Sequence, residues 1–354
     1  MTGGAAPAVQ SELQCRACGG QRVFDPATQA LRCTSCGAAE ALAAAGEGNA
    51  AAEWEFRPGR PTPIPGGEER VHSCRTCGGE VIFRGQVLSR RCPYCDGPVV
   101  QIEQDPGFRP MALIPFRVAS ETALQNARDW VRGRWAVPGD LMQAVGEARV
   151  AGLYAPFWTF DSHEAVRYWA KYRHDPWWSD DHVWKNITGT MKVEFDDMLM
   201  PASDHVTPII RDGILHEFDP ASLHPADPGY LAGFAAERHG QSVMQGLEAN
   251  RSDRDLLIKA RIRAHVGKPG ARVVRYETDT SGIRYRRLLL PVWILHYRYD
   301  GTPFRVAVSG IDGRAFGERP FSRVKLLAIS GLLALSALIA GAVYGAIAAG
   351  TGLP

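Results

Sequence analysis

The carboxyl-terminal part of the chain carries its longest hydrophobic pattern. Residues 326–350 contain no Asp, Glu, Lys, Arg or His. As a helix, these 25 residues would extend roughly 37 Å, enough to cross a hydrocarbon core of about 30 Å. The pattern therefore predicts a transmembrane helix, preceded by a juxtamembrane segment, over residues 321–354. A buried helix of a soluble protein is the alternative, although such helices are seldom uncharged over this length.

Upstream of this segment the hydrophobic pattern alternates between helical and strand periods. We place Ser120 as the N-cap of a first helix, a second short helix after Asp140, and a longer helical stretch over residues 241–265. Strand patterns cover residues 153–160, 166–172, 189–200, 272–276, 285–299 and 304–308. The sequence predicts an α+β core domain over residues 105–320, built on antiparallel sheet.

Two prolines occupy comparable places in the two halves of this core. Pro156 and Pro291 each lie inside a strand pattern, two residues before a tryptophan. Proline cannot donate to a sheet ladder, so we expect sheet edges or bulges there. The repetition is interpreted as a diverged duplication of a helix-then-sheet unit.

All eight cysteines of the chain fall into four C-x-x-C pairs. Two stretches, each with two pairs separated by fourteen residues, align without a gap, which indicates an internal duplication. The first set defines ribbon 1 (residues 11–40) and the second defines ribbon 2 (residues 70–104), with a Pro-rich linker over residues 41–69. The eight predicted metal ligands are Cys15, Cys18, Cys33, Cys36, Cys74, Cys77, Cys92 and Cys95.

This spacing is typical of small zinc ribbons. Each C-x-x-C turn presents two thiolates, and two turns joined by a hairpin complete four tetrahedral ligands. We therefore expect two structural Zn²⁺ ions per chain; redox-active C-x-x-C pairs and an iron–sulfur site are the alternatives. Gly19, Gly37 and Gly78 follow a cysteine where positive φ closes the turn, and Asp96 takes the fourth such place. With all four positions filled by protein, a catalytic metal is not expected.

The charge distribution indicates how the chain is oriented in the membrane, but it does not indicate a binding partner. The 354 residues carry a formal net charge of +2, which is short of a strongly basic nucleic-acid-binding balance. Arg314, Arg319, Arg323 and Lys325 precede the predicted span, so the positive-inside rule puts the upstream domains in the cytoplasm. We expect a single-pass protein of the cytoplasmic membrane. Small residues at four-residue spacing, including Gly341 and Gly345, would allow the helix to associate with another.

Motifs for catalysis are missing from the sequence. It contains no G-x-x-x-x-G-K-[ST], G-x-S-x-G or H-E-x-x-H motif, and all cysteines are assigned to the ribbons. The richest polar cluster spans residues 161–182, where His163, His174, Asp180, Asp181 and His182 either gather a metal or form a solvated loop. The tryptophans and tyrosines of the same region are either strand packing or a recognition surface. We expect a protein that is not an enzyme.

Several segments together carry a resemblance to a known family. The order CRACGG, CRTCGG with CPYC, IPF, LYAPFWTFD, FDDMLMPAS, YLAGFAAE and LPVWILHY, followed by a final span, resembles bacterial membrane-anchored zinc-ribbon proteins. These are often labelled primosomal-protein-N′-like or transcription-factor-IIB-type ribbon proteins, and some accompany phage-shock-protein-A-type membrane-stress proteins. The resemblance implies a membrane platform for such an ESCRT-III-like partner.

Two functions follow as hypotheses. The first is a non-enzymatic adaptor whose cytoplasmic ribbons and core recruit protein partners, including a phage-shock-protein-A-like protein, to the membrane. The second is a membrane-tethered protein that binds single-stranded nucleic acid through the Arg-bearing ribbons. Each ribbon mixes its arginines with acidic residues, so the sequence favours the adaptor.

Overall fold

The computed structural model describes residues 13–42, 52–57, 70–83, 91–102, 107–174, 183–213 and 219–351. These residues form a mixed α and β structure with mostly antiparallel sheets, two groups of four cysteines and one apolar carboxyl-terminal helix, as predicted. The predicted domain boundaries and the predicted duplication of the core stay hypotheses.

Ribbon 1 forms a separate three-stranded sheet, whereas ribbon 2 is part of the main sheet. The small sheet contains β1 (Arg22–Asp25), β2 (Ala30–Cys33) and β3 (Ala39–Ala41). The main sheet has twelve strands among the described residues. These are β4 (Trp54–Glu55), β5 (Val71–Cys74), β6 (Glu80–Phe83), β7 (Val99–Ile102), β8 (Ala112–Leu113), β9 (Arg149–His174), β10 (Val183–Pro201), β11 (His224–Pro225), β12 (Ala235–Glu237), β13 (Arg272–Tyr299), β14 (Thr302–Ser309) and β15 (Ala315–Gly317).

Two very long antiparallel strands organise the main sheet. β9 has 26 residues and β13 has 28, so each joins two strands that the sequence pattern had separated. β10 pairs with residues 157–174 of β9, while β14 and the short parallel strand β8 pair with residues 288–299 of β13. We call the end that carries residues 149–157 the base of the sheet and the end near His174 the tip.

Pro156 and Pro291 lie in these interior strands, so the prediction of sheet edges is wrong. Pro156 of β9 falls between the residues that pair with β12 and those that pair with β10. Pro291 of β13 falls between the residues that pair with β8 and those that pair with β14. Each proline therefore occupies a gap in the neighbouring ladder, where a missing N–H removes no hydrogen bond.

Six α-helices accompany the described sheets. They are α1 (Ser120–Arg132), α2 (Leu141–Gly146), α3 (Pro208–Gly213), α4 (Val243–Ala249), α5 (Arg251–Val266) and α6 (Arg323–Thr351). α1 begins one residue earlier than predicted, because Ala119 is its N-cap and no side chain caps it. Asp140 does precede α2, and the predicted stretch over residues 241–265 divides into α4 and α5 at Asn250.

Alternating residues of β9 and β13 divide the base into two buried faces. Tyr154, Leu289 and Trp293 point to one face, where α1, α2 and ribbon 1 pack. Leu153 and Leu288 point to the other, where ribbon 2 packs. Since both faces are covered, these strand segments are hydrophobic at nearly every position rather than at every second one.

No described part of the chain covers the apolar carboxyl-terminal helix. The 22 residues Arg323–Tyr344 are long and apolar enough to span a membrane, and none of this stretch is buried within the structure. Its start is attached to the base, where the Lys325 ammonium group donates a hydrogen bond to the Val137 carbonyl at 2.8 Å.

Candidate metal centres and their attachment to the core

The four C-x-x-C turns share one backbone geometry. After the second cysteine of each pair come Gly19, Gly37, Gly78 and Asp96, with φ angles of 71°, 74°, 78° and 62°. Each donates its backbone N–H to the carbonyl of the first cysteine of its pair, at 2.8 to 3.0 Å. The prediction that left-handed residues close these turns is confirmed, including the substitution of Asp for Gly in the fourth.

The turns bring the predicted ligands together in two groups of four. Within each group the sulfur atoms all lie within 4.8 Å of one another. In ribbon 1 the Cys15 and Cys36 sulfurs are 3.7 Å apart and those of Cys18 and Cys33 are 3.5 Å apart. In ribbon 2 the corresponding distances are 3.4 Å for Cys74 and Cys95, and 3.6 Å for Cys77 and Cys92.

These distances fit a tetrahedral metal ion. A Zn–S bond of about 2.3 Å implies sulfur atoms about 3.8 Å apart along the edge of a regular tetrahedron. The observed separations are close to that value and far longer than a disulfide bond of about 2 Å. Either group could therefore hold a metal ion, consistent with zinc, with every tetrahedral position supplied by protein.

Backbone N–H groups prepare the sulfurs for a cation. In ribbon 1 the Ser35 N–H points at the Cys33 sulfur at 3.4 Å, and the Gly20 N–H at the Cys18 sulfur at the same distance. Backbone donors from Cys36 and Ser35 lower the pKa of Cys33 to about 6. In ribbon 2, burial raises the pKa of Cys95 to about 11, whereas backbone donors from Cys77 and Thr76 outweigh burial at Cys74 and lower its pKa to about 7. A metal ion would supply the charge that offsets this burial.

Ribbon 1 packs on the core through its hairpin. Phe24 of β1 is buried, contacts the Tyr230 ring edge-on at 5.3 Å between centroids, and donates its N–H to the Ala232 carbonyl at 3.0 Å. The Gln29 side-chain amide donates to the Phe116 carbonyl at 2.8 Å. Ribbon 1 is therefore docked on the core rather than held only by its linker.

Ribbon 2 has more extensive contacts with the core than ribbon 1, and polar contacts beside its cysteines contribute to them. The buried Tyr94 hydroxyl, between Cys92 and Cys95, donates to Glu237. His205 contacts the Cys77 carbonyl through Nε2 at 3.0 Å, and its hydrogen bond to Glu237 raises its pKa to about 9. The His296 ring likewise contacts the Pro93 carbonyl at 2.8 Å. Both C-x-x-C turns of ribbon 2 thus contact core side chains.

One segment of the core touches both ribbons. Residues 230–237, the YLAGFAAE sequence, present Tyr230 and Ala232 to ribbon 1. Three residues later, β12 pairs with β6 of ribbon 2, and Glu237 accepts the Tyr94 hydrogen bond. Sequence reasoning identified this segment only by resemblance and missed its role as the bridge between the two metal sites.

The linker also contacts the core, through a short segment at residues 52–57. β4 pairs with β13, and the Trp54 ring meets Tyr285 edge-on at 6.4 Å. Glu53 joins Asp161 and Asp197 in an acidic group whose oxygens lie within 4.8 Å of one another. Burial, followed by the hydrogen bond to Asp161, raises the pKa of Glu53 to about 7.

Two arginines already balance this acidic group. Arg286 reaches Glu53 at 2.9 Å and also pairs with Asp197, while Arg284 lies 3.2 Å from Glu53. With Glu53 protonated, two carboxylates face two guanidinium groups. The arrangement is that of a partly buried ion-pair network that attaches the linker to β13. No local pattern in the sequence indicated it, because its members are far apart along the chain.

The predicted polar cluster over residues 161–182 does not assemble within the described residues. His163 and His174 are eleven residues apart on the single strand β9, which separates them by about 36 Å at about 3.3 Å per residue. His163 faces Glu194 at 3.7 Å, and Asp161 belongs to the acidic group above. Asp180, Asp181 and His182 lie outside the described residues. No site containing both His163 and His174 can form on this strand.

Comparisons with known proteins extend over nearly the whole chain but assign no activity. The chain is 24% identical over 324 residues to the uncharacterized protein YdjG of Bacillus subtilis (strain 168). The similar region covers 89% of this chain and 92% of that protein. No family model and no solved structure matches.

Proposed function

We propose that each group of four cysteines holds one structural Zn²⁺ ion. The support is the fit of the sulfur separations to a tetrahedral site, together with four backbone turns of one geometry. Native mass spectrometry of the purified chain should find two zinc ions. Cys18→Ser and Cys77→Ser should each leave one; iron, or a chain that folds fully without metal, would contradict the assignment.

We further propose that the chain is a non-enzymatic adaptor anchored in the cytoplasmic membrane by α6, with its other domains in the cytoplasm. The observation that carries this proposal is the attachment of both closed metal groups to one core, which stands directly before an uncovered apolar helix. Such an assembly offers a rigid protein surface next to a bilayer. Basic residues before the helix support the inward orientation.

The partner that this proposal favours is a phage-shock-protein-A-like, ESCRT-III-like membrane-stress protein. The reason is the family resemblance of the sequence, carried by segments such as YLAGFAAE. Localisation of such a protein, compared between cells with and without the chain, tests the idea. Loss of membrane localisation on deletion, with restoration by the intact chain, is the expected result. An unchanged localisation would contradict it.

A further inference from the structure

The tip of the long sheet presents one face to solvent. There, β10, β9 and β13 form three antiparallel strands, and α5 covers only one side of them. Ile258, Ile262 and Val266 of α5 pack against Val166 and Tyr168 of β9. Residues at alternate positions therefore point away from α5, and no described element packs on the opposite side of this sheet, where the side chains are exposed or half-buried.

Strand register places a set of cations and two tryptophans on that open side. Arg173 faces Trp184, Lys171 faces Asn186 and Arg272, and Trp169 faces Thr188 and Arg275. Cross-strand partners project from the same side of a sheet. We call the set Trp169, Lys171, Arg173, Trp184, Arg272 and Arg275 the cationic face. All six residues are exposed or half-buried.

The cations are held in place by the tryptophan rings. The Arg275 guanidinium carbon lies 3.4 Å from the centre of the Trp169 ring. The Trp184 ring, whose residue is 41% exposed, contacts Arg272 at 4.8 Å and Lys171 at 5.3 Å. Such contacts reduce the side-chain entropy that is lost when a cation binds a partner. They also cover the ring faces on which a nucleic acid base would stack.

The surroundings of the face have the same sign of charge. Residues 167–174, 183–192 and 259–276 contain eleven Lys and Arg and no Asp or Glu. The whole chain has 40 basic and 38 acidic residues, so the described residues at this end are predominantly basic by comparison. Residues 175–182, which join β9 to β10 and lie outside the described residues, contain Asp175, Asp180 and Asp181. Glu277 pairs with Arg275 at 2.7 Å and limits the face on the side toward the base.

The dimensions of the face match one helix. Three strands about 4.8 Å apart give a width of about 10 Å, the diameter of an α-helix. Residues on one side of a strand recur about every 6.6 Å, close to the 6 Å or so between positions i and i+4 of a helix. Carboxylates at that helical spacing would each meet a cation.

We propose that the cationic face binds an acidic helical segment of a protein partner. This inference rests on the proposed adaptor function and names the surface that the adaptor uses. Charge complementarity, the covered tryptophan rings and the spacing of the cations favour such a segment over nucleic acid.

Fluorescence anisotropy with the full chain in non-ionic detergent tests this assignment. The probe is a labelled 16-residue Ala-based helical peptide with Glu at i, i+4 positions, compared with a Gln version. The variant Lys171→Gln with Arg272→Gln should weaken binding of the Glu peptide by about tenfold or more. Arg261→Gln with Arg263→Gln removes the same charge from exposed positions of α5 and should change binding less than about twofold.

A charge-reversal variant shows whether a loss of binding is caused by the changed charge or by misfolding. The variant Lys171→Glu with Arg272→Glu should lose the Glu peptide and gain a peptide with Lys at the same positions. Equal losses in the face and α5 variants would overturn the proposal. So would tighter binding of a dT16 oligonucleotide, or of anionic phosphatidylglycerol vesicles, that depends on the same two side chains.

Partner capture separates this inference from the adaptor function. A partner identified with the intact chain should be lost from the Lys171→Gln, Arg272→Gln variant and kept by the α5 variant. Equal capture by both variants overturns the face assignment and leaves the adaptor function standing. No specific partner of the intact chain overturns both.

Discussion

Ribbon 1 should detach from the core when Phe24 is shortened to alanine. The Phe24 side chain is 3% exposed and lies against Tyr230, and its own N–H donates to the Ala232 carbonyl. Removing a buried phenylalanine costs about 3–5 kcal/mol. We take the lower value, about 3 kcal/mol, for Phe24→Ala. Phe24 lies between ribbon 1 and the core, which can move closer together and fill part of the cavity. That cost corresponds to a roughly 100-fold larger open population.

Hydrogen exchange of the zinc-loaded chain measures this opening. The amide of residue 24, whose N–H donates to the Ala232 carbonyl across the contact, should exchange roughly 100-fold faster in Phe24→Ala. Phe83→Ala is the matched control, because Phe83 is the equivalent residue of the duplicated ribbon and is only partly buried. It should change exchange at Phe24 very little. If Phe24→Ala retains both zinc ions and the exchange rates of the parent chain, the docking of ribbon 1 is refuted.

Three further predictions address the metal turns, the acidic group and the membrane helix. Gly78→Ala should weaken zinc retention about tenfold in chelator competition. A residue with a Cβ atom costs about 1–2 kcal/mol at a φ of 78°, even though no other atom of the described residues lies near the position of that Cβ. Because the pKa of Glu53 is raised to about 7 in the folded chain, the folded state binds more protons than the unfolded state between pH 4.5 and about 7, and the stability from this group is lost as the pH rises through that range. Urea unfolding at pH 5 and pH 8 should show a smaller difference in Glu53→Gln, and an unchanged difference would contradict the assignment. Removing residues 323–354 should move the chain to the soluble fraction, whereas the intact chain should resist alkaline extraction of membranes.

Local chemistry was the part of the structure that the sequence predicted well. The C-x-x-C spacing, the glycines after the cysteines and even Asp96 determine turns of four residues, which depend on few distant contacts. The uncharged run over residues 326–350 likewise predicts its own helix. Such features follow from the steric and solvation properties of neighbouring residues.

Long-range packing was the part that the sequence did not predict. The breaks in the hydrophobic pattern of β9 and β13 suggested four strands, yet each is one continuous strand. The hydrophobic pattern changes where the strand meets a different neighbouring element. Glu53, Asp161 and Asp197 lie far apart in the chain, so no local pattern groups them. Phe24 offered a signal, since a ribbon of about thirty residues is too small to bury a phenylalanine by itself.

The two metal groups, although duplicated in sequence, differ in what their occupancy can control. Ribbon 1 has its own sheet, so its folding can be lost while the main sheet keeps every strand. In ribbon 2, β5, β6 and β7 belong to the main sheet, and Cys74 and Cys92 are buried in the same cluster as Leu153 and Leu288. Without a metal ion, the four cysteines of ribbon 2 would destabilise the packing at the base of β9 and β13. The same two strands carry the cationic face at their other end. If the proposed zinc ions are present, we expect the loss of metal from ribbon 2 to disturb the cationic face, and the loss of metal from ribbon 1 to disturb only the docking of ribbon 1.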